Sequence, residues 1–273
     1  MKKGKKQFYF IGGILIVLLV MLSGCARKTT SGKSKSESLP KIVIGCDDYT
    51  PFNYMDMNGK ITGIDVELAR EAFDRMGYQA EFQFIDWEEK KQLLKDGSID
   101  CVWSSFTMDG REEEYKWAGP YMKSNQVIAV NVDSDISEIK DLKGKTIAVQ
   151  STTKPEDLFR SHGEEIPDFR KIISVKNRDV LFILLNKGYV DAIAAHDTSV
   201  IQFMKDFDME YRILEKPLLT VNLGVAFDRD DDRGLDEKLS ETLQQMQSDG
   251  TIKKIISKYL PNAEKYLEDA YDE

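Results

Sequence analysis

The chain has 273 residues, 41% of them hydrophobic and 31% charged, and Asp and Glu outnumber Lys and Arg by 47 to 38 for a net charge of −9. An acidic chain of this kind is a poor partner for nucleic acid and is not drawn to an anionic membrane surface except through the lysine-dotted stretch before residue 41.

At the start, Lys2, Lys3, Lys5 and Lys6 precede an uncharged apolar run from Phe8 to Leu22. The run is shorter than the 18 or more residues of a spanning helix, and with small residues at its end it reads as an export signal. Leu22-Ser23-Gly24-Cys25 resembles the lipobox of bacterial lipoproteins. That resemblance implies cleavage before Cys25 and lipid on its thiol. Without the four lysines the net charge becomes −13. Arg27 to Pro40 is Ser, Lys, Thr and Gly with almost nothing to bury, a composition that stays flexible as a tether.

From Lys41 onward strands and helices alternate. The pattern predicts a strand at Lys41–Cys46, a hairpin turn at Asn58-Gly59, a helix over Asp65–Met76, a strand at Ala80–Phe84, a helix over Trp87–Lys95 and a strand at Cys101–Ser105. A second series follows: strand Thr146–Gln150, helix Pro155–Ser161, strand Lys171–Val175, helix Arg178–Asn186, strand Ala192–Ala195 and helix Thr198–Asp206. A strand near Val221–Ala226 and helices over Asp231–Ser248 and Thr251–Tyr259 complete it, and the acidic segment Asn262–Glu273 is expected to pack loosely. Alternation of this kind implies parallel sheets covered on both faces with right-handed crossovers. Leu93-Leu94-Lys95-Asp96-Gly97-Ser98-Ile99-Asp100 echoes Leu184-Leu185-Asn186-Lys187-Gly188-Tyr189-Val190-Asp191. Each is a helix end, a Gly stop and an Asp leading into a buried strand, which favours two related lobes. Cys46 and Cys101 are open to pairing or to service as small core residues.

Gly63-Ile64-Asp65-Val66-Glu67-Leu68, with Asp47 to Phe52, Trp117 to Tyr121, Asp141 to Lys145 and Asp191 to Asp197, resembles the amino-acid-type (family 3) extracellular solute-binding proteins of bacterial ABC importers. The resemblance spans about Lys41 to Tyr259 and implies an α/β fold of two lobes, each a mainly parallel sheet flanked by helices. Two strands form the hinge, near Gln126–Asn131 and Leu218–Ala226. The expected division is a signal at 1–24, a lipidated N-terminus and tether at 25–40, lobe 1 at 41–127 plus 221–260, lobe 2 at 128–220, and an acidic tail at 261–273.

A free amino acid brings a carboxylate, an ammonium and a side chain, and each buried charge needs a partner. Ligands of open α/β sheets sit beyond the carboxyl ends of strands. There the sequence offers Ser105 and Thr107 after one strand, Thr152 and Thr153 after another, and Asp197 after a third. Arg111 can hold a carboxylate through two parallel hydrogen bonds, and the resemblance gives it the α-carboxylate and Asp197 the α-ammonium. Asp197 has the rival role of a helix N-cap. Thr152, Thr153 and the helix N-terminal amides suit the carboxylate. Tyr49 and Trp87 match positions flanking the ligand, Asp47 suits a basic or amide side chain, and Phe52 stands between core and contact.

No nucleophile elbow or Gly-rich phosphate loop occurs. His162 and His196 form no ligand set with the cysteines, so neither metal nor cofactor is expected. The expected function is a monomeric, extracytoplasmic receptor, anchored to the cell membrane through lipid on Cys25, that hands a polar L-amino acid to an ABC permease. Glutamine, cystine, arginine, lysine and histidine all stay open as ligands. The alternatives are an exported prephenate or arogenate dehydratase on the same fold, with Asp47 or Glu88 as acid, and a sensory ligand-binding lobe.

Overall fold

The computed structural model describes residues 39–163 and 165–267, so the signal, the tether and Cys25 lie outside the described residues. In chain order the first series is β1 (Lys41–Cys46), a hairpin of β2 (Tyr54–Met55) and β3 (Ile61–Thr62), α1 (Ile64–Arg75), β4 (Gln79–Phe84), α2 (Lys90–Lys95) and β5 (Cys101–Thr107). The helix expected from Trp87 opens instead as a 3-10 turn over Trp87–Glu89. The Asp86 carboxylate accepts the Glu88 amide at 3.0 Å and holds that tighter turn. After β6 (Lys116–Asn131) come β7 (Thr146–Gln150), α3 (Lys154–Arg160), β8 (Lys171–Val175), α4 (Asp179–Asn186), β9 (Ala192–His196) and α5 (Asp197–Phe207). The chain ends through β10 (Tyr211–Ile213), β11 (Leu219–Phe227), α6 (Leu235–Ser248) and α7 (Thr251–Ile256). Helix α6 starts four residues later than expected because Asp231 folds back onto Arg233, accepting its amide at 3.0 Å.

The internal echo is structural. Strands run β4-β1-β5 in one lobe and β8-β7-β9 in the other, all parallel. Asp100 Oδ2 accepts the Val43 amide at 2.7 Å, and Asp191 Oδ2 accepts the Thr146 amide at 2.6 Å. The two equivalent aspartates thus each pin the first residues of the strand beside them. Gly97 and Gly188, at φ 73 and 68, end the preceding helices in the left-handed conformation that glycine adopts without a Cβ clash.

The lobes do not have separate sheets. Antiparallel β6 and β11 join the two parallel sets into one mixed sheet, β4-β1-β5-β11-β6-β9-β7-β8, with β10 on β6. Strand β6 pairs with β11 from Lys116 to Gln126 and with β9 from Gln126 to Ala129. The apolar cores change over at the same place. Met122 packs with α1, α6 and α7, whereas Val127 packs with α4 and α5; likewise Leu219 joins the first core, whereas Leu218 packs with Ile128, Val130 and Phe159 on the far side of the changeover. Cys46 and Cys101 are buried and unpaired.

The expectation of a loosely packed C-terminal segment needs correction at its start. Ala263 and Tyr266 form a 3-10 turn buried in the first core, with Leu267 packed against it. Their apolar side chains outweigh the acidity of the segment around them.

Candidate functional site

The Gly63 to Leu68 signature acts on the cleft indirectly. A Cβ on Gly63, at φ 129, would collide with the Phe52 carbonyl, so only glycine lets α1 start against that turn. Two residues on, Asp65 is fully buried, and its Oδ2 accepts the Ser105 amide at 2.6 Å and Asn53 Nδ2 at 3.3 Å. That bond holds Ser105 at φ 47, a left-handed conformation uncommon for a residue with a Cβ. Burial pushes the Asp65 carboxyl up to about 7.

Ser105 and Thr107 end β5 on one wall of a cavity of about 430 Å³, its mouth included. Tyr49, Trp87, Phe106 and Arg111 share that wall. The opposite wall is built by Gln150 at the end of β7, by Thr152, Thr153 and Lys154 entering α3, and by Arg178 in the turn between β8 and α4. His196 at the end of β9 and Gln126 at the changeover of β6 form the floor.

Of the residues picked from sequence, seven line this space: Tyr49, Trp87, Ser105, Thr107, Arg111, Thr152 and Thr153. Arg111 is 7% exposed, its carbonyl held by Trp117 Nε1 at 3.0 Å. Its NH2 reaches across to Asp157 Oδ2 at 2.9 Å and its Cζ lies 5.4 Å over the Phe106 ring. A carboxylate of the protein's own thus occupies the guanidinium. One amide before α3 is already taken, as Glu156 Oε2 accepts the Thr152 amide at 2.7 Å, and Thr153 donates its hydroxyl to the Gln150 carbonyl at 2.6 Å. The Thr152 hydroxyl accepts from Lys90 Nζ at 2.8 Å, which leaves its own proton free to donate. Burial, then the nearby Arg111, bring the Lys90 ammonium down to about 8.

Two residues are placed differently from the sequence reading. Asp197 does not line the cavity. It is the first residue of α5 rather than its cap, its Oδ1 accepts the Thr198 amide at 2.8 Å, and its Oδ2 receives Lys265 Nζ at 3.3 Å and Asn125 Nδ2 at 3.4 Å. The C-terminal turn that was expected to be loose supplies that lysine, from a side chain that is 56% exposed. Asp47 stands behind the lining, where its Oδ2 accepts Gln150 Nε2 at 2.7 Å and lies 3.5 Å from Arg178 NH2. Glu88, the other acid considered for a dehydratase, is paired with Lys176 at 2.6 Å. Among the described residues no carboxylate lines the cavity. Phe52 is fully buried in the first core.

Sequence reasoning missed Arg178, Gln150 and His196. Arg178 is 8% exposed, donates from Nε to Gln150 Oε1 at 2.8 Å, and lies with Cζ 3.0 Å over the Tyr49 ring. His196 is held between Ser124 Oγ at 2.7 Å and Gln126 Nε2 at 2.8 Å, and burial followed by the charge of Arg178 lowers it to about 3, so the ring is neutral. Gln150 and His196 are the last residues of parallel strands and Arg178 follows one. The rule that ligands gather beyond strand carboxyl ends, applied to β8 as well as to the others, would have found all three.

Residues 42–262 match the family model of bacterial extracellular solute-binding proteins, family 3. The chain belongs to this family. Among curated relatives, the family member is 28% identical over 258 residues to the probable amino-acid-binding protein YxeM of Bacillus subtilis, covering 90% of this chain and 92% of that protein. It is 28% identical to the arginine-binding extracellular protein ArtP of the same organism, over 89% of this chain and 96% of the relative. The arginine-, lysine-, histidine-binding protein ArtJ of Geobacillus stearothermophilus superposes with a TM-score of 0.73 at 28% identity, over 81% of this chain and 95% of that one. The family's two-lobed architecture is the one described above. No helix among the described residues is long and apolar enough to cross a membrane.

Proposed function

We propose that the protein is an extracytoplasmic receptor that captures a free amino acid between its lobes and delivers it to an ABC permease. The observation that carries this reading is Arg111: a buried guanidinium lining the cavity, whose side-chain partner Asp157 is 56% exposed and therefore displaceable. In this reading the ligand's α-carboxylate replaces Asp157 on Arg111 and accepts the Thr152 hydroxyl. Ser105 and Thr107 supply hydroxyl oxygens to the α-ammonium, and Tyr49 and Trp87 enclose the carbon skeleton. Lobe 1 (41–127 and 221–260) and lobe 2 (128–220) close about β6 and β11. Cys25 carries the lipid that keeps the receptor, as a monomer on its 25–40 tether, at the membrane face where the permease works, after loss of the 1–24 signal.

A thermal-shift screen against the free amino acids, followed by calorimetry on the strongest, tests the reading. A ligand at a hundredfold excess over Kd stabilises the folded state by about 2.7 kcal/mol, which a melting curve resolves. Arg111→Ala is expected to weaken binding by about thirtyfold to several thousandfold. An unshifted melt with every amino acid would sink the proposal.

A further inference from the structure

The unused hydrogen-bonding capacity of the cavity is lopsided. Three lining side chains hold a buried polar atom without a partner, Trp87 Nε1, Ser105 Oγ and Arg178 NH1, whereas the Tyr49 hydroxyl meets Ser199 and the His196 backbone. The indole and guanidinium nitrogens can only donate. Each is a donor kept out of water that awaits an acceptor, and buried donors are rarely left so. Counter-charge for a cation, by contrast, is already committed. Asp47 is taken by Gln150 and Arg178, and among the described residues no Asp or Glu lines the cavity. A basic ligand side chain entering here would meet Arg178 with no free carboxylate on the walls.

We propose that the amino acid captured carries a second carboxylate, received by Arg178 while Arg111 receives the first. This deepens the receptor reading and rests on it. Arg178 is built for the task. Gln150 Oε1 holds its Nε and NH2, the Tyr49 ring covers one face, and the NH1 edge is left over. A planar fork fixed on two sides presents its remaining N–H groups in one direction, which a flexible ammonium would not do. Asp47 lies 3.5 Å from NH2 and makes no hydrogen bond to NH1, so it orients the guanidinium without consuming the free edge. The expected preference is therefore opposite in charge to the arginine that names ArtP.

The test is calorimetric titration of the purified protein with L-glutamate, L-aspartate and L-cystine, against L-glutamine, L-arginine, L-lysine and L-histidine. One of the three dicarboxylates is expected to bind at least tenfold tighter than glutamine and tighter still than any basic amino acid. Arg178→Met is expected to weaken that ligand by about thirtyfold or more and to narrow its advantage over glutamine. Glutamine or a basic amino acid binding as tightly as the best dicarboxylate overturns the inference and leaves the receptor reading standing; no binding by any amino acid overturns both. Should Arg178→Met fail to fold by circular dichroism, Arg178→Lys keeps the charge and loses the fork, with at least a tenfold loss expected. The ligand order of the unaltered protein decides the matter in either case.

Discussion

Asp157 stands where a ligand carboxylate is proposed to bind, and replacing it with Asn should make the protein bind better. Its Oδ2 lies 2.9 Å from Arg111 NH2, in a pair whose acid is 56% exposed and whose base is 8% exposed. Exposed carboxylate partners are screened, and such pairs are worth about 0.2–1 kcal/mol. The ligand must displace that contact before it gains its own, so Asp157→Asn is expected to tighten binding by about 0.2–1 kcal/mol, at most roughly fivefold. A second effect has the opposite sign. Asp157 sits in the first turn of α3, where a negative charge favours the helix by about 0.3–1 kcal/mol, so the empty variant should melt slightly lower than the unaltered protein. Calorimetry and melting on the same preparations separate the two, and raising the salt concentration should shrink the affinity gain. An affinity that falls, or does not change, would mean that Asp157 and the ligand do not compete for Arg111.

Two further outcomes follow from buried and terminal chemistry. Burial raises Asp65 to about 7, against about 3.9 for a free aspartate, so the folded protein holds a proton there that the unfolded chain releases. Its contribution to stability is complete below about pH 4 and is lost as the pH rises through 7. The melting temperature should therefore fall more between pH 5 and pH 8 in the unaltered protein than in Asp65→Asn, and an equal fall in both would remove Asp65 as the cause. At the other end, Cys25→Ala should leave the fold and ligand binding intact but release the protein into the medium or trap the uncut precursor. Fractionation of that variant with membranes at mature size would refute lipidation at Cys25.

Most elements and their repetition were legible along the chain. Period, Gly stops and apolar runs are local properties, so the β1 to β5 and β7 to β9 series could be read from neighbours along the chain. The Gly63 signature and the Leu93 and Leu184 echoes were legible for the same reason. So were those cavity residues at or just past the end of a strand, such as Ser105, Thr107 and Thr152. The tertiary structure alone decided which side chains spend their hydrogen bonds elsewhere. Asp197 has the right residue type in the right place along the chain, yet Lys265, 68 residues away, takes its carboxylate. The Thr152 amide looked available until Glu156 folded back on it. Arg178 reads as the first residue of a helix until Tyr49, from the other lobe, covers its face. Sequence fixes what a side chain can donate or accept, but its availability depends on partners brought together from distant segments. Those partners settle which charges are left for a ligand.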